Sequence, residues 1–207
     1  MIRGVIIEGL STAGKTSVLT ALKKMNSQSP KVERTMIAVS EHYSGVLVDD
    51  HGVLRNLQQE EHLGLLNRHV DYIEQLHSFM TSLGRTKASH GVFYIFERFH
   101  LNHRAAFGTS TGLGTLEQRL SNLNALSVLL TISSDVVESR YVESRGENWK
   151  SYVMKGFSSP AEACHKFVSG QEKMRICAQL SLVATLEINT DNADWDCYAD
   201  QIMRRLC

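Results

Sequence analysis

One glycine-rich segment constrains the fold of this chain more than any other feature. In IIEGLSTAGKTS, residues 6–17, an apolar run stops at Gly9 and the pattern G-x-x-x-x-G-K-[ST] closes with Gly14, Lys15 and Thr16. Glycines let successive backbone N–H groups turn inward around an anion, and a following helix adds its positive N-terminal end. The segment therefore predicts a buried strand, a phosphate-binding loop and a helix in direct succession.

The residues of this loop have separate predicted roles. Lys15 would reach the β- and γ-phosphates of a nucleotide, and the Thr16 hydroxyl would hold Mg²⁺. An apolar run at 3–7 and helical spacing at 17–24 supply the strand and helix that the motif requires. The remaining positions of the motif are predicted to hold the phosphates: Gly9, Ser11, Thr12, Ala13, Gly14 and Ser17.

Strand and helix patterns alternate along the whole chain. Strands are predicted at 3–7, 34–41, 91–98, 126–133 and 183–190, and helices at 17–24, 57–83, 116–123, 135–145, 160–180 and 193–206. Loops are predicted at 42–56 and 108–115, and 146–159 is polar with little pattern. Strands that alternate with helices form a parallel sheet joined by right-handed crossovers. We therefore expect an α/β fold with five parallel strands and helices on both faces.

The composition excludes several classes of protein. Lys plus Arg equals Asp plus Glu, at 22 each, so no overall basic charge favours nucleic acid or an acidic membrane surface. The apolar runs are strand length, far short of the roughly 18 residues of a membrane span, and no signal peptide is evident. We expect a cytoplasmic protein with one domain and neither nucleic acid nor membrane as a partner.

The cysteines and histidines do not form a recognisable metal site. The four cysteines, Cys164, Cys177, Cys197 and Cys207, are widely spaced and contain no C-x-x-C pair. The nine histidines include no H-E-x-x-H pattern. Free thiols in a reducing compartment are therefore expected.

Charged residues follow the predicted strands where a parallel sheet places its ligands. Glu97 and Arg98 come directly after the apolar run VFYIF, and ligands of such sheets bind beyond the carboxyl ends of the strands. Glu97 would face Mg²⁺ or an acceptor hydroxyl, and Arg98 would neutralise a transferring phosphoryl group. The alternative is a salt bridge or a charge at a helix N-terminus.

Glu41, at the end of the second predicted strand, bears on the acceptor. A hydroxyl that is phosphorylated must lose a proton, so a carboxylate base helps, whereas a monophosphate needs an arginine clamp. The segment SEHYSG offers a carboxylate and no arginine, which favours a hydroxyl acceptor. The alternative is that Glu41 is a solvated loop carboxylate.

Two arginines are candidates for a closing lid. Arg140 and Arg145 lie on and after a predicted helix, just before Gly146, and lid arginines stabilise the charge of phosphoryl transfer. The alternative is a surface helix in which Glu138 and Glu143 pair with the arginines.

Together these motifs resemble the deoxynucleoside kinase and thymidylate kinase family of P-loop proteins. IIEGLSTAGKTS is similar to the opening of that family, and IFERFHLNHRAAF to its F-E-R-S-x-x-S-D-R-x-x-F segment. SRYVESRGE resembles the arginine lid, and INTDN, which contains Asp191 and Asn192, resembles the loop beside the adenine of ATP. The resemblance implies one P-loop kinase-type domain over 1–207, a three-layer sandwich with a lid at about 140–160. It also implies ATP and Mg²⁺ as cofactors and a homodimer packed through helices such as 57–83.

The chain departs from the family pattern on the acceptor side. Phe99 replaces the serine after Glu-Arg, His103 replaces the aspartate implied to contact the nucleobase, and His42 replaces the proline of the usual Glu-Pro pair. The R-E-P-G-G clamp of thymidylate kinases is missing. The phosphate-donor chemistry is therefore implied more fully than the identity of the acceptor.

The sequence is compatible with three functions. The first is ATP- and Mg²⁺-dependent phosphorylation of the hydroxyl of a (deoxy)nucleoside or similar small molecule. In it Glu41 and Glu97 share the duties of base and metal ligand, and Lys15, Arg98, Arg140 and Arg145 bind and stabilise the phosphates. The second is a nucleoside monophosphate kinase of thymidylate type. The third is a nucleotide-binding regulator that does not catalyse a reaction.

Overall fold

The computed structural model of the protein describes residues 2–28, 35–84 and 91–206. Its strands are β1 (Ile2–Glu8), β2 (Thr35–Val39), β3 (Leu47–Asp50), β4 (Val53–Asn56), β5 (Val92–Glu97), β6 (Ala125–Thr131) and β7 (Thr185–Asn189). Its α-helices are α1 (Lys15–Gln28), α2 (Gln59–Ser82), α3 (His100–Phe107), α4 (Leu113–Asn122), α5 (Glu147–Met154), α6 (Pro160–Gln179) and α7 (Trp195–Arg205).

A five-stranded sheet in the order β2-β5-β1-β6-β7 is the centre of the fold. Every neighbouring pair in it is parallel. Alternate residues of a strand face opposite sides, so Val5 and Ile7 of β1 join the core under α1 and α7, and Ile2 and Ile6 join the core under α2 and α4. The predicted α/β fold with helices on both faces is confirmed.

All five predicted sheet strands and the predicted helices at 17–24, 57–83, 116–123, 160–180 and 193–206 are present with shifted ends. Their neighbours explain some of these ends. Ser159 caps α6 by accepting a hydrogen bond from the Glu162 N–H, with Pro160 in the first turn. Gln58 and Glu61 form a capping box at the start of α2. Residue 34 of the second predicted strand lies outside the described residues.

Three expectations are wrong, and a helix lies in a fourth segment, 146–159, for which no structure was predicted. The predicted loop at 42–56 contains the antiparallel hairpin β3–β4, and 146–159 contains α5. The predicted helix at 135–145 is a 3₁₀ turn at Ser134–Val136 followed by a π-helical turn at Glu138–Val142. The predicted loop at 108–115 ends earlier, because α4 begins at Leu113.

Two of the compositional expectations can be compared with the structure. No helix in the described ranges is long and apolar enough to cross a membrane. Cys164, Cys177 and Cys197 are free thiols, and Cys207 lies outside the described residues.

Candidate functional site

The phosphate-loop sequence lies between the carboxyl end of β1 and the start of α1. Gly9 and Gly14 have φ angles of 136° and 93°, which favour glycine. A Cβ on Gly9 would lie 2.6 Å from the carbonyl oxygen of Leu130, and one on Gly14 would lie 2.5 Å from the Trp195 ring. The loop therefore requires glycine at both positions, and the first turn of α1 supplies N–H groups without intrahelical partners.

Lys15 is held at the base of this loop. Its side chain is 6% exposed and its Nζ lies 3.7 Å from Glu41 Oε2. The same Nζ donates a hydrogen bond to the Leu10 carbonyl at 3.0 Å. Burial, together with the nearby charge of Arg98, lowers the pKa of Lys15 to about 8. A cation so poorly solvated gains more from an approaching anion than an exposed lysine does.

Arg98 and Glu41 join the ends of β5 and β2. Arg98 has a φ of 50°, and its Nε donates to Glu41 Oε2 at 2.5 Å. Its Nη2 donates to Ser11 Oγ at 3.2 Å, so one guanidinium contacts both the carboxylate and the loop. Burial pushes the pKa of Glu41 upward, but the charges of Arg98 and Lys15 outweigh it and leave that pKa below its ordinary value. Glu41 is therefore ionised between two cations.

Glu97 lies behind this pair, 4% exposed. Its Oε2 accepts a hydrogen bond from the Glu41 N–H at 3.3 Å. Its Oε1 is buried and has no hydrogen-bond partner among the described residues. Burial raises the pKa of Glu97, and the neighbouring Glu41 charge adds to the rise. A buried carboxylate oxygen without a partner is costly, so it is a candidate ligand for a cation or a proton.

Glu8, at the end of β1, positions the turn that carries Arg98. Its fully buried Oε1 accepts hydrogen bonds from the N–H groups of Phe99 at 3.0 Å and Leu101 at 2.9 Å. Burial raises the pKa of Glu8 to about 7. Glu8 was not predicted as a site residue. Its position directly before the first glycine of the loop was the sequence signal that could have identified it.

Arg140 bonds both the phosphate loop and the loop that follows β7. Its Nη2 donates to the Thr12 carbonyl at 3.2 Å, and its Nη1 donates to the Thr190 carbonyl at 2.6 Å. The Thr190 hydroxyl in turn donates to the Ala13 carbonyl at 3.0 Å. These bonds tie the loop after β1 to the loop after β7, which fixes the conformation of residues 12 and 13.

Two aromatic residues lie beside the arginines of the predicted lid. The Arg140 guanidinium lies 5.8 Å from the Trp195 ring centroid, and that of Arg145 lies 4.7 Å from the Trp149 ring centroid. Both distances fit cation–π contacts. Trp195 was not predicted. Its only sequence signal is its position soon after the loop of the last strand.

A cavity of about 310 Å³ lies at the carboxyl edge of the sheet. Most of the predicted site residues line it: Ser11, Thr12, Gly14, Lys15, Thr16, Ser17, Glu41, Arg98, Arg140 and Arg145. Ser144 and Trp195, which were not predicted, also line it. Four of the lining side chains are cationic and one is anionic. The cavity is therefore suited to a polyanion.

A second cavity, of about 760 Å³, adjoins the first. The two share Ser11, Glu41, Arg98 and Arg145. The rest of the second cavity is lined by the hairpin β3–β4 and its approach, by Asn102 of α3 and by α5. A ligand in one cavity can therefore meet a ligand in the other at Glu41 and Arg98.

Some predicted residues lie outside both cavities. Gly9 and Ala13 are buried within the loop, and Glu97 is buried behind Glu41. The Asp191 carboxylate accepts hydrogen bonds from the Ser133 N–H at 2.9 Å and hydroxyl at 2.5 Å. Burial pushes the pKa of Asp191 upward, but these bonds hold it below its ordinary value.

Asn192, the last residue predicted beside the nucleotide, is exposed. No group of three or more His, Cys, Asp or Glu side chains in the described part of the chain could hold a metal ion. A metal bound through Thr16 would therefore need oxygen ligands from a phosphate chain as well.

His103 is enclosed in a buried hydrogen-bond chain between α2 and α3. His62 Nε2 lies 2.9 Å from the Ser44 carbonyl, so this nitrogen carries the proton. His103 Nδ1 therefore donates a hydrogen bond to His62 Nδ1 at 2.9 Å. His103 Nε2 accepts a hydrogen bond from the Ser110 hydroxyl at 2.9 Å. Burial lowers the pKa of His62, and that of His103 to about 4, so both rings are neutral.

Arg104, another basic residue of the segment that follows β5, pairs with a carboxylate of α4. Its Nη2 lies 2.8 and 2.9 Å from the two carboxylate oxygens of Glu117. Both side chains are buried, and Arg104 lines neither cavity. The pair joins α3 to α4 instead of binding a ligand.

No protein-family model matches the chain, and no curated protein matches it. Among solved structures, the YorR protein from Bacillus subtilis, determined in complex with phosphorylated GDP, is similar with a TM-score of 0.57 and 15% identity, over 98% of this chain and 95% of that one. Shikimate kinase from Bacteroides thetaiotaomicron reaches 0.52 at 11% identity, over 100% and 99%. Thymidylate kinase from Candida albicans reaches 0.49 at 13%, over 99% and 90%. The first two share the fold of this chain, a five-stranded parallel sheet with helices on both faces.

Proposed function

We propose that the protein is an ATP- and Mg²⁺-dependent phosphotransferase that acts on the hydroxyl of a (deoxy)nucleoside or a similar small molecule. One observation carries the proposal: Lys15, Arg98, Arg140 and Arg145 converge on one cavity that shares Glu41 with a larger neighbour. Such an arrangement suits a phosphate chain in the first cavity and an acceptor in the second. The P-loop kinase fold of the chain is consistent with this chemistry.

On the donor side, the residues of the loop bind the phosphates of ATP. The backbone at Ser11–Gly14 and the N-terminus of α1 surround them, and Lys15 places its buried charge beside them. Arg98 and Arg145 stabilise the charge that develops during transfer. Arg140 contributes by holding the carbonyls of Thr12 and Thr190. Asp191 and Asn192 are retained as candidates for contact with the adenine.

The metal fits the residues at this edge of the sheet. Thr16 lines the first cavity, and the buried Glu97 has one oxygen, Oε1, without a hydrogen-bond partner among the described residues. Mg²⁺ bound there would neutralise phosphate oxygens. Glu97 and Glu41 thus divide the duties of metal ligand and base between them.

The transfer step is a simple substitution at phosphorus. The acceptor hydroxyl oxygen forms a bond to the γ-phosphorus while the bond from that phosphorus to the β–γ bridging oxygen breaks and ADP leaves. The hydroxyl proton passes to a carboxylate, for which the candidate is the ionised Glu41, since this residue lines both cavities. A monophosphate acceptor would not need this base.

Two other functions have specific support. Arg145 lines both cavities, so it could clamp the phosphate of a monophosphate acceptor, as in a nucleoside monophosphate kinase. The altered residues Phe99 and His103 favour a nucleotide-binding regulator that does not turn over. Each predicts a different result with purified protein.

The experiment is an acceptor screen with ATP and Mg²⁺, in which the common nucleosides and their monophosphates are tested and ADP release is measured. Transfer to a nucleoside and not to its monophosphate supports the proposal. Transfer only to monophosphates supports the second function, and ATP binding without transfer to any compound supports the regulator. A failure to bind ATP contradicts all three.

The proposal includes the remaining expectations. Residues 1–207 act as one P-loop domain with a lid at about 140–160, in the cytoplasm, with a small-molecule acceptor and without nucleic acid or membrane. A homodimer through α2 is supported by Tyr72 and Phe79, which are more than half exposed on that helix. Analytical ultracentrifugation of the wild type and a Phe79→Asp variant tests the dimer.

A further inference from the structure

We propose that the hairpin β3–β4 and helix α5 select the acceptor, and that the second cavity takes an uncharged alcohol that bears a planar ring. Leu47, Leu54 and Tyr152 are the residues that cover this ring. The inference rests on the proposed function, which it deepens by naming the chemical class of the acceptor and the surface that recognises it.

Helix α3 does not offer the acidic side chain that the sequence resemblance implies. His103 stands where that family has an aspartate, and its ring is fully buried. Both of its nitrogens are bonded, to His62 and Ser110, and it does not line the cavity. Asn102 is the only α3 residue that lines it in the described structure. Most acceptor recognition must therefore come from other elements.

The hairpin supplies one wall of the cavity. In its register Leu47 pairs with Asn56 and Asp49 pairs with Leu54. Paired residues and alternate residues of a strand share one face, so all four lie on the same face, and all four line the cavity. This face carries two leucine side chains and two groups able to hydrogen-bond the edge of a ring.

Helix α5 supplies the facing wall. Trp149 and Tyr152 lie three residues apart, with ring centroids separated by 5.6 Å and planes inclined by 34°, and both line the cavity. Tyr152 is 62% exposed, and Leu47 and Leu54 on the hairpin are 50% and 66% exposed. Apolar surface on two walls of one cavity is surface that a bound ring would remove from water.

The charges set the polarity of the ligand. Among the described residues that line this cavity, Glu41, Arg98 and Arg145 are shared with the first cavity, and Asp49 is the other charged side chain. The hairpin end therefore has a negative charge and no Lys or Arg among these lining residues. We infer that the ring end is uncharged, because Asp49 would repel an anion there and the apolar surface of Leu47, Leu54 and Tyr152 would desolvate a cation.

The test measures steady-state kinetics of Leu54→Ala and Tyr152→Ala with ATP, Mg²⁺ and the best uncharged acceptor of the screen. Both side chains are exposed, so the fold should tolerate their loss. We expect KM for the acceptor to rise about tenfold in each, since one apolar contact in a pocket discriminates by 10-fold or more. KM for ATP should change less than twofold. Leu180→Ala and Leu182→Ala, at 60% and 59% exposure outside both cavities, are the controls.

Four results would overturn the inference. One is an unchanged acceptor KM in Leu54→Ala and Tyr152→Ala, and another is an equal change in their controls. A third is a changed ratio of acceptor preferences in His103→Asn, which would return recognition to α3. The fourth is transfer to monophosphates alone.

Failure of the proposed function is a separate outcome. If the wild type binds ATP but transfers phosphate to no compound, calorimetric titration of the same nucleosides into wild type, Leu54→Ala and Tyr152→Ala decides the inference alone. Binding that weakens about tenfold in the two variants supports it. Binding that is absent in the wild type, or equal in all three, overturns it.

Discussion

The two cavities are neighbours, yet their walls are built in opposite ways. Around the first cavity, Lys15 and Arg98 are bonded to carbonyl, carboxylate or hydroxyl oxygens, and Arg140 is bonded to two carbonyls. Around the second, Leu54 and Tyr152 remain more than half exposed. The first cavity, the proposed donor side, is therefore fixed by hydrogen bonds before any ligand binds, whereas the second, the proposed acceptor side, presents apolar surface that a ligand would cover.

This difference indicates how the site divides its tasks. Charged groups that are already oriented need little reorganisation when a phosphate chain arrives. Apolar walls are non-directional and can accept rings of different outline. Substitutions on the donor side should therefore change turnover for every acceptor, and those on the acceptor side should change the choice among acceptors.

The largest effect is expected from Lys15→Ala. Loss of one oriented charge at a transfer site typically costs about 10²–10³ in kcat, so transfer should fall by at least that factor with every acceptor. Lys24→Ala is the control, because Lys24 lies on the same helix but pairs with Asp196 in solvent. Turnover that survives in Lys15→Ala with undiminished ATP affinity would contradict the assignment of the phosphate loop.

Arg140→Ala should have the next largest effect and should separate the two lid arginines. It removes charged hydrogen bonds to the Thr12 and Thr190 carbonyls, each worth about 1.5–3 kcal/mol. Transfer should fall roughly 10–100-fold and the melting temperature should fall as well. Arg145→Ala, whose described contact is a stack on Trp149, should lower turnover and leave the melting temperature unchanged. Equal melting temperatures in the two variants would contradict the distinction.

Gly14→Ala should weaken the donor side by a smaller amount. A Cβ there would lie 2.5 Å from the Trp195 ring, at a φ of 93°, and strain of this kind costs about 1–3 kcal/mol. Nucleotide affinity and the free energy of unfolding should both decrease, as measured by calorimetry and urea titration. Gly64→Ala is the control, since no atom lies within 4 Å of its added Cβ. In the double variant Gly14→Ala/Trp195→Ala, only the loss of affinity and stability that is due to the clash with the ring should be recovered.

The smallest effect is a pH dependence. With a pKa of about 8, Lys15 in the free enzyme loses its charge as the pH rises, so kcat/KM for ATP should fall to about half at pH 8 and about tenfold by pH 9. Bound phosphates raise the pKa of Lys15, so kcat should persist to higher pH. A kcat/KM that stays constant to pH 9.5 would mean that this lysine is better solvated than its burial implies.

The sheet and its main helices were predictable because their signals are local. Apolar runs such as residues 92–97 mark buried parallel strands, and the spacing of Leu66, Val70 and Ile73 marks the buried face of α2. The hairpin was missed because its two-residue turn, His51-Gly52, has positive φ at both positions. Asn-Gly or Asp-Gly is the usual signal for such a turn, and histidine concealed it.

The prediction of a helix at 135–145 was wrong for a different reason. A hydrogen bond from the Glu143 N–H to the Glu138 carbonyl widens the turn at Glu138–Val142 into a π-helix, and hydrophobic periodicity does not distinguish this turn from an α-helix. The sequence grouped Lys15, Glu41, Arg98 and Arg140 as candidates, but it could not pair them. Contacts between Arg140 and Thr12, or between Thr190 and Ala13, depend on the packing of distant segments.

The bond between the Thr190 hydroxyl and the Ala13 carbonyl joins residues 177 positions apart, and it has a consequence for biosynthesis. The ribosome makes Ala13 of the glycine loop 177 residues before it makes Thr190 of the loop after β7. At 5–20 residues per second the two are separated by on the order of ten to thirty seconds. A nascent chain that lacks Thr190 has Arg140 to bond the Thr12 carbonyl, but it lacks the hydroxyl that bonds Ala13 and the carbonyl that holds Arg140. The complete set of bonds around the loop therefore forms only after Thr190 has been translated, and we expect full nucleotide affinity only in chains that extend past this residue.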